Sequence, residues 1–170
     1  MNLKKLLAVL LATLISCSAF AYMAPMPDDD PTQQFLQQYQ QEMDKLTKQF
    51  DAKLLPPIQG LVKVVKTVQT DLTPEQEAQI DQFAGQLDEA LNAMVAPTLE
   101  QVDLEKLNTL AKQLDPNAQK IDKEGLSNIL KTLYLIQALG HFSQNKKMSE
   151  EDVSIAMTIF FPEGMEEVAE

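Results

Sequence analysis

Few side chains in this sequence have the types and spacing that catalysis requires. Among 170 residues, His141 is the only histidine and Cys17 the only cysteine. A single histidine excludes a multi-histidine metal site. His141 directly follows Gly140, which we expect to end a helix, and the C-terminus of a helix favours a cation, so we interpret His141 as a helix cap. No serine lies in a G-x-S-x-G context. The sequence predicts that the protein is not an enzyme, and a hydrolase with paired carboxylates is the third interpretation.

Two thioethers near the N-terminus could bind a soft metal ion. Met23 and Met26 are separated by Ala24 and Pro25 and are followed by the acidic run 28–30. Methionine sulfur selects Cu(I), although two such ligands make a weak site. The alternative function is therefore an envelope protein that handles metal through Met23, Met26 and an acidic surface. We expect no resident cofactor.

The first 21 residues have the pattern of a secretory signal peptide. Lys4 and Lys5 precede an apolar run from 6 to 15, and small residues follow up to Ala19-Phe20-Ala21. This order of charge, apolar run and A-x-A site is typical of signal peptides. The run is shorter than the roughly 20 residues that a membrane-spanning helix needs. We predict cleavage after Ala21, no membrane span and a periplasmic or secreted protein.

The same segment has a second interpretation. Leu14-Ile15-Ser16-Cys17 resembles the lipobox of bacterial lipoproteins, in which the cysteine becomes the lipidated first residue. A thiol can be alkylated where a serine or an alanine cannot, which would explain a lone cysteine at this place. The alternative location is therefore a membrane-anchored lipoprotein with its lipid on Cys17.

The net charge of the chain indicates which classes of partner it can bind. The chain has 25 acidic and 14 basic residues, for a net charge of −11, and none of the basic residues is arginine. Because nucleic acid binding depends on neutralising phosphates with basic side chains, we expect no nucleic acid partner. An acidic surface favours a protein or peptide partner in the cell envelope, and a cationic one in particular.

Apolar residues recur three and four positions apart from residue 31 to 161, which predicts amphipathic helices. We expect an all-α fold, a compact bundle of about five to six amphipathic helices behind a cleaved signal peptide. The predicted organisation is a signal peptide (1–21), a flexible leader (22–30), a helical domain (31–161) and an acidic tail (162–170). We assign 58–70 to a helix, although its valines also suit a strand.

Prolines, glycines and capping residues predict where these helices begin and end. Pro56 and Pro97 should each end a helix, and Gly140 should cap another. Thr73 and Gln76 have the spacing of a capping box, as do Thr98 and Gln101, while Asp122 and Ser149 are further start signals. Between two of these boundaries, the residues expected to face inward are Val102, Leu107, Leu110, Ala111 and Leu114.

The segment 72–76 reads Leu-Thr-Pro-Glu-Gln and resembles the L-T-x-x-Q motif of small periplasmic helical proteins that act as stress-induced chaperones or sensor regulators. The resemblance implies an all-α cradle. That family usually carries two copies of the motif and is rich in basic residues. This acidic chain has one copy, and capping already explains its threonine and glutamine, so we assign no family.

The first helix carries the candidate binding surface. Its apolar stripe faces either the protein's own core or a partner, and consists of Leu36, Tyr39, Met43, Leu46 and Phe50. We predict a small exported protein that binds a protein or peptide without catalysis, as a chaperone or an assembly factor would.

Overall fold

A computed structural model describes residues 31–162, and within this range the chain folds into α-helices without a strand, as predicted. The helices are α1 (Pro31–Gln49), α2 (Leu55–Thr67), α3 (Pro74–Gln101), α4 (Leu104–Leu114), α5 (Lys123–Gln144) and α6 (Glu150–Phe160), with a π-helical segment at Phe50–Leu54. None of these helices is long and apolar enough to cross a membrane. The predicted signal peptide and leader lie outside the described residues, as does the tail beyond 162.

Three of the predicted helix starts are confirmed. At the start of α3, the Thr73 N–H donates to Gln76 Oε1 at 2.9 Å, and the Gln76 N–H donates to Thr73 Oγ1 at 3.2 Å. These reciprocal bonds satisfy two backbone donors that a helix N-terminus leaves unpaired. Asp122 and Ser149 likewise accept backbone N–H bonds before α5 and α6.

The expected break at Pro56 does not occur. After α1, the Leu55 N–H donates to the Phe50 carbonyl five residues earlier, which is the bond of a π-helix. Helix α2 then begins at Leu55, so Pro56 falls in its first turn. The first turn needs no backbone N–H donors, and proline is tolerated there. The wider turn thus lets the chain stay helical through two prolines.

The predicted helix end at Pro97 is also wrong, because α3 continues to Gln101. The Val102 N–H still donates to the Thr98 carbonyl at 3.1 Å. Proline removes one backbone hydrogen bond, but just before it Met94 and Val95 are 7% and 1% exposed and anchor the helix. The next helix is capped by Asp103 rather than Thr98, since the Asp103 carboxylate accepts the N–H groups of the next helix's first turn.

Gly140 lies inside α5 and does not cap it. The helix extends to Gln144, because Phe142, two residues further on, is fully buried. The end comes at Lys146, whose φ is 54°. The Lys146 N–H donates to the Ser143 carbonyl at 3.1 Å and the Lys147 N–H to the Phe142 carbonyl at 2.8 Å. These two bonds define a Schellman motif with a lysine in the left-handed position that usually holds glycine.

The described residues divide into two units, 31–45 with 97–129 and 46–96 with 130–162. The second unit holds a continuous apolar core, consisting of Phe50, Leu54, Ile58, Leu61, Val62, Leu87, Leu91, Met94, Ala138, Leu139, Phe142, Met148 and Ala156. Helices α2 and α6 pack against each other in this unit. Lys66 on α2 forms ion pairs with Asp152 and, at 3.6 Å, with Glu151 in the first turn of α6.

In the first unit, 31–45 with 97–129, a polar side chain joins α4 to the segment that follows it. Asn108 of α4 donates to the carbonyls of Leu104 and Ile121, each at 2.8 Å, and accepts the Ile121 N–H at 2.7 Å. The Asn108 side chain therefore links the backbone of Ile121, in the segment after α4, to that helix. The buried apolar side chains of this unit are Ala111, Leu126 and Ile129.

Candidate functional site

The apolar stripe of α1 divides into a buried end and a partly exposed end. Phe50, just after α1, is 1% exposed and belongs to the core of the second unit, and Leu46 packs against that core. Leu36, Tyr39 and Met43 are only partly buried. Leu46 is partly buried too, but only it and Phe50 of this stripe contribute to the core of the second unit.

Helix α4 exposes apolar side chains that the sequence pattern placed inside. The expectation for Leu110 and Leu114 is wrong, since they are 56% and 71% exposed. At about 100° per residue, they lie about 100° and 60° around the helix from Ala111. Ala111 is 6% exposed and Asn108 beside it is partly buried, so the arc that faces inward is centred on the alanine. The apolar stripe of α4 is wider than the surface that covers it.

The most exposed large apolar residues of the described chain belong to one unit. Phe35 of α1 is 61% exposed, and it belongs with Leu110 and Leu114 to the unit made of 31–45 and 97–129. In the other unit the most exposed are Leu72 at 43% and Met157 at 36%. Exposed apolar side chains that share one helix face are a common feature of interaction sites. The candidate binding surface is therefore the pair Leu110 and Leu114, one turn apart on α4.

This surface has a polar border. Lys106, one turn before Leu110, is exposed over 82% of its side chain and lies 3.6 Å from Asp103. Gln113, next to Leu114, is also exposed. An apolar centre with a polar rim is the usual composition of a protein interface. The sequence signal for this site is the wide arc over which the apolar residues of this eleven-residue helix are distributed.

A polar cluster in the second unit surrounds the lone histidine. His141 Nε2 lies 3.0 Å from Asp51 Oδ1, and Lys147 Nζ donates to Asp51 Oδ2 at 2.5 Å. Asp51 lies in the π-helical segment, one residue after the buried Phe50. The Lys147 hydrogen bond, with the smaller effects of His141, holds the pKa of the Asp51 carboxyl below its ordinary value of 3.8, although partial burial opposes this. His141 thus joins α5 to the π-helical segment, whereas the sequence suggested a helix cap.

The second ring nitrogen of His141 is also engaged. Asn145 Nδ2 lies 3.0 Å from His141 Nδ1 and donates to the His141 carbonyl at 2.9 Å. The ring packs 6.4 Å from the Phe50 ring and 5.7 Å from the Phe142 ring, measured between centroids. Because both ring nitrogens have partners and two aromatic rings pack against the imidazole, we assign His141 a structural role rather than that of a proton acceptor for a substrate.

Two further carboxylates are stabilised by lysines. A hydrogen bond from Lys131 lowers the pKa of Asp88, and one from Lys66 lowers the pKa of Asp152. Both pairs link different helices, α5 to α3 and α2 to α6, within the second unit. The acidic residues with shifted pKa values are therefore paired across helices.

The remaining candidate ligands lie outside the described residues. Met23, Met26 and Cys17 belong to this part, so the metal site and the lipid attachment stay predictions. Within 31–162, no group of three or more His, Cys, Asp and Glu side chains is arranged to hold a metal ion. Comparison of the chain with protein families, curated proteins and solved structures finds no match.

Proposed function

We propose that this is a small exported protein that binds a protein or peptide partner without catalysis, in the manner of a chaperone or an assembly factor. The observation that carries the proposal is the exposure of Leu110 and Leu114 on one face of α4, at 56% and 71%. Burying such side chains against an apolar segment gains about 1.5–3 kcal/mol for each one fully buried. The partner is therefore a chain that itself exposes apolar residues, such as an unfolded client.

The partly buried side chains of α1 add apolar area to the same unit as the surface that we propose. Leu36, Tyr39 and Met43 have the three- and four-residue spacing of a helix stripe, and Phe35 beside them is 61% exposed. Aromatic and methionine side chains are over-represented where proteins bind varied partners. These residues belong to the same unit as α4, and they support a binding role for that unit.

The charge of the chain supports a preference among clients. With a net charge of −11, the protein attracts cationic chains and repels acidic ones. We propose that basic unfolded clients bind better than acidic clients of equal hydrophobicity. The difference should shrink as salt is raised to 1 M, where the screening length falls to about 3 Å.

Aggregation of an unfolded client tests the proposal. The mature protein should suppress aggregation of a basic client when it is present in molar excess. The double variant Leu110→Gln/Leu114→Gln should lose most of this effect, since glutamine keeps the helix but removes the apolar surface. Circular dichroism should show unchanged helix content.

The matched control is Leu72→Gln/Met157→Gln, which removes the exposed apolar residues of the other unit. It should retain suppression. The proposal fails if the parent protein has no effect at molar excess, or if the control loses as much activity as the α4 variant. The predicted export is tested separately by the intact mass of the mature chain, which distinguishes an N-terminus at Tyr22 from an acylated Cys17.

A further inference from the structure

The first three turns of α1 expose a surface without charge. Residues 31–41 carry no charged side chain, although 23% of the chain is charged. Seven of the ten residues 32–41 are exposed: Thr32, Gln34, Phe35, Gln37, Gln38, Gln40 and Gln41. The stretch 132–145 of α5 also lacks Asp, Glu and Lys, but most of its side chains are buried or half-buried. The stretch 31–41 is thus both uncharged and largely open to solvent.

One side of this stretch places an exposed aromatic ring beside exposed amides. Phe35 is 61% exposed. At about 100° per residue, three exposed glutamines lie within about 120° of it, all on the same side: Gln34, Gln38 and Gln41. We call these four residues the neutral face. The nearest charged residue along the helix on that side is Glu42, whose carboxylate is offset by Lys45 Nζ at 2.7 Å.

The absence of charge is a reason to expect a second copy of this chain at the neutral face. With a net charge of −11, two copies repel each other, and they can approach most easily where neither surface is charged. A two-fold contact also brings the same patch together from both copies, so that patch must complement itself. A glutamine amide meets this condition, because it has both donors and an acceptor. A cationic partner would instead be drawn to the acidic surface.

We propose that the neutral face of α1 is the contact surface of a two-fold homodimer. The Phe35 ring of each copy packs against the neutral face of the other, and the glutamine amides form the border. A strip of helix about 16 Å long and about 10 Å wide covers far less than the roughly 800 Å² per partner of a standard interface. The dimer is therefore weak and forms at high protein concentration. The contact does not involve Leu110 and Leu114, so it is independent of the proposed client binding.

Sedimentation equilibrium of the mature chain tests the proposal between about 10 µM and about 1 mM, the range in which small interfaces associate. The weight-average mass should rise from that of the monomer toward twice that value. Salt at about 1 M should strengthen the dimer, because it screens the repulsion between two acidic chains while the contact itself contains no ion pair across it. A mass that stays monomeric over the whole range, or a dimer that weakens in salt, would overturn the proposal.

The variant Phe35→Gln removes the ring and keeps a good helix former. The dissociation constant should rise at least about tenfold, since each dimer loses two buried rings. Leu110→Gln/Leu114→Gln should dimerise like the parent, so self-association and client binding give separate results. A dimer that is lost in this α4 variant but kept in Phe35→Gln would place the contact on α4 and refute the proposal. Circular dichroism should show unchanged helix content in both variants.

A charge exchange tests the two-fold contact directly. Gln34→Glu/Gln38→Glu and Gln34→Lys/Gln38→Lys should each stay monomeric, because like charges meet across the contact. An equimolar mixture of the two should dimerise again. The matched control is Gln82→Glu/Gln86→Glu on α3, which makes the same charge change at exposed glutamines of the same spacing, and it should dimerise like the parent. Equal loss in this control, or a mixture that stays monomeric, would contradict the contact.

Discussion

The ring of Phe83 lies against the backbone of Gly60: a Cβ atom added to Gly60 would stand 2.6 Å from ring carbons of Phe83. Gly60 is on α2 and Phe83 on α3, and the ring packs against the core of their unit. A side chain of α3 therefore contacts the backbone of α2 at a residue that has no side chain of its own. Real Cβ atoms do not come so close to carbon, so any larger residue at this position must displace the ring.

Gly60→Ala should lower the free energy of unfolding by about 1–3 kcal/mol, the usual cost of forcing extra volume into a packed site. Chemical denaturation monitored by circular dichroism measures it. Gly85→Ala on α3 is the matched control, because a Cβ there meets nothing within 4 Å. The control should gain about 0.5–1 kcal/mol from the better helix propensity of alanine. Equal effects of the two changes would contradict the close approach.

Lys146 occupies the left-handed position of the Schellman motif that ends α5, with φ of 54°. A side chain costs about 1–2 kcal/mol in this conformation, and glycine avoids most of it. After the larger chain entropy of unfolded glycine is subtracted, Lys146→Gly should stabilise the protein by about 0.5–1 kcal/mol. Thermal unfolding followed by circular dichroism gives the comparison. Lys147→Gly should instead destabilise, since it removes the ion pair with Asp51.

Asn108 is the polar side chain whose loss should cost most in the unit made of 31–45 and 97–129. Asn108→Ala leaves the N–H and carbonyl of Ile121 without their partner. An unsatisfied, partly buried backbone group costs about 1–3 kcal/mol. Exchange protection of the Ile121 amide should fall first, and denaturation should show the loss of stability. Asn92→Ala, at an exposed bond to Asp88, should change stability by less than about 0.5 kcal/mol. A similar loss in both variants would argue against the fastening role.

Acid should destabilise the protein through three paired carboxylates. Lysine partners lower the pKa values of Asp51, Asp88 and Asp152 in the folded chain, so the unfolded chain binds these protons at higher pH. The stability they contribute is present above the ordinary value of 3.8 and is lost as the pH falls through the lower folded values. Urea denaturation between pH 5 and pH 2, with an Asp51→Asn/Asp88→Asn/Asp152→Asn variant, measures this slope.

The triple variant should show a flatter dependence of unfolding free energy on pH than the parent. Glu42→Gln removes an exposed carboxylate that pairs with Lys45 one turn away on α1, and it should keep the parent slope. A triple variant with the same slope as the parent would show that other groups govern acid stability.

The sequence predicted the all-α fold and the starts of several helices because these depend on local chemistry. The reciprocal bonds of Thr73 and Gln76 need only the residues between them. The predicted helix ends at Pro56, Pro97 and Gly140 were wrong for two reasons. At Pro56 the wide π-helical turn lets the chain stay helical, and at Pro97 and Gly140 the burial of nearby side chains outweighs local preference. A helix loses one hydrogen bond at a proline, whereas Met94, Val95 and Phe142 anchor their helices by burying large side chains.

The sequence predicted the candidate binding surface less well than it predicted the fold. Apolar spacing identifies the stripe of α4, but it does not say how much of the stripe another element covers, so Leu110 and Leu114 were placed inside. The cluster around Asp51 joins residues about 90 positions apart, as the separation between Asp51 and His141 shows. A pattern of neighbouring residues cannot predict the Asp51–His141 contact, which also depends on the π-helical segment that contains Asp51.

The π-helical turn also constrains how this chain can vary in length. An α-helix completes a turn in 3.6 residues, and the bond from the Leu55 N–H to the Phe50 carbonyl encloses one residue more than an α-helical bond does. The wide turn therefore takes up one extra residue while Leu46 before it and Ile58 after it both reach the same core. Deleting one residue from 50–54 should restore α-helical winding and leave both of these faces in place, whereas a deletion inside α2 should rotate the residues on one side of it by about 100° and expose part of the core.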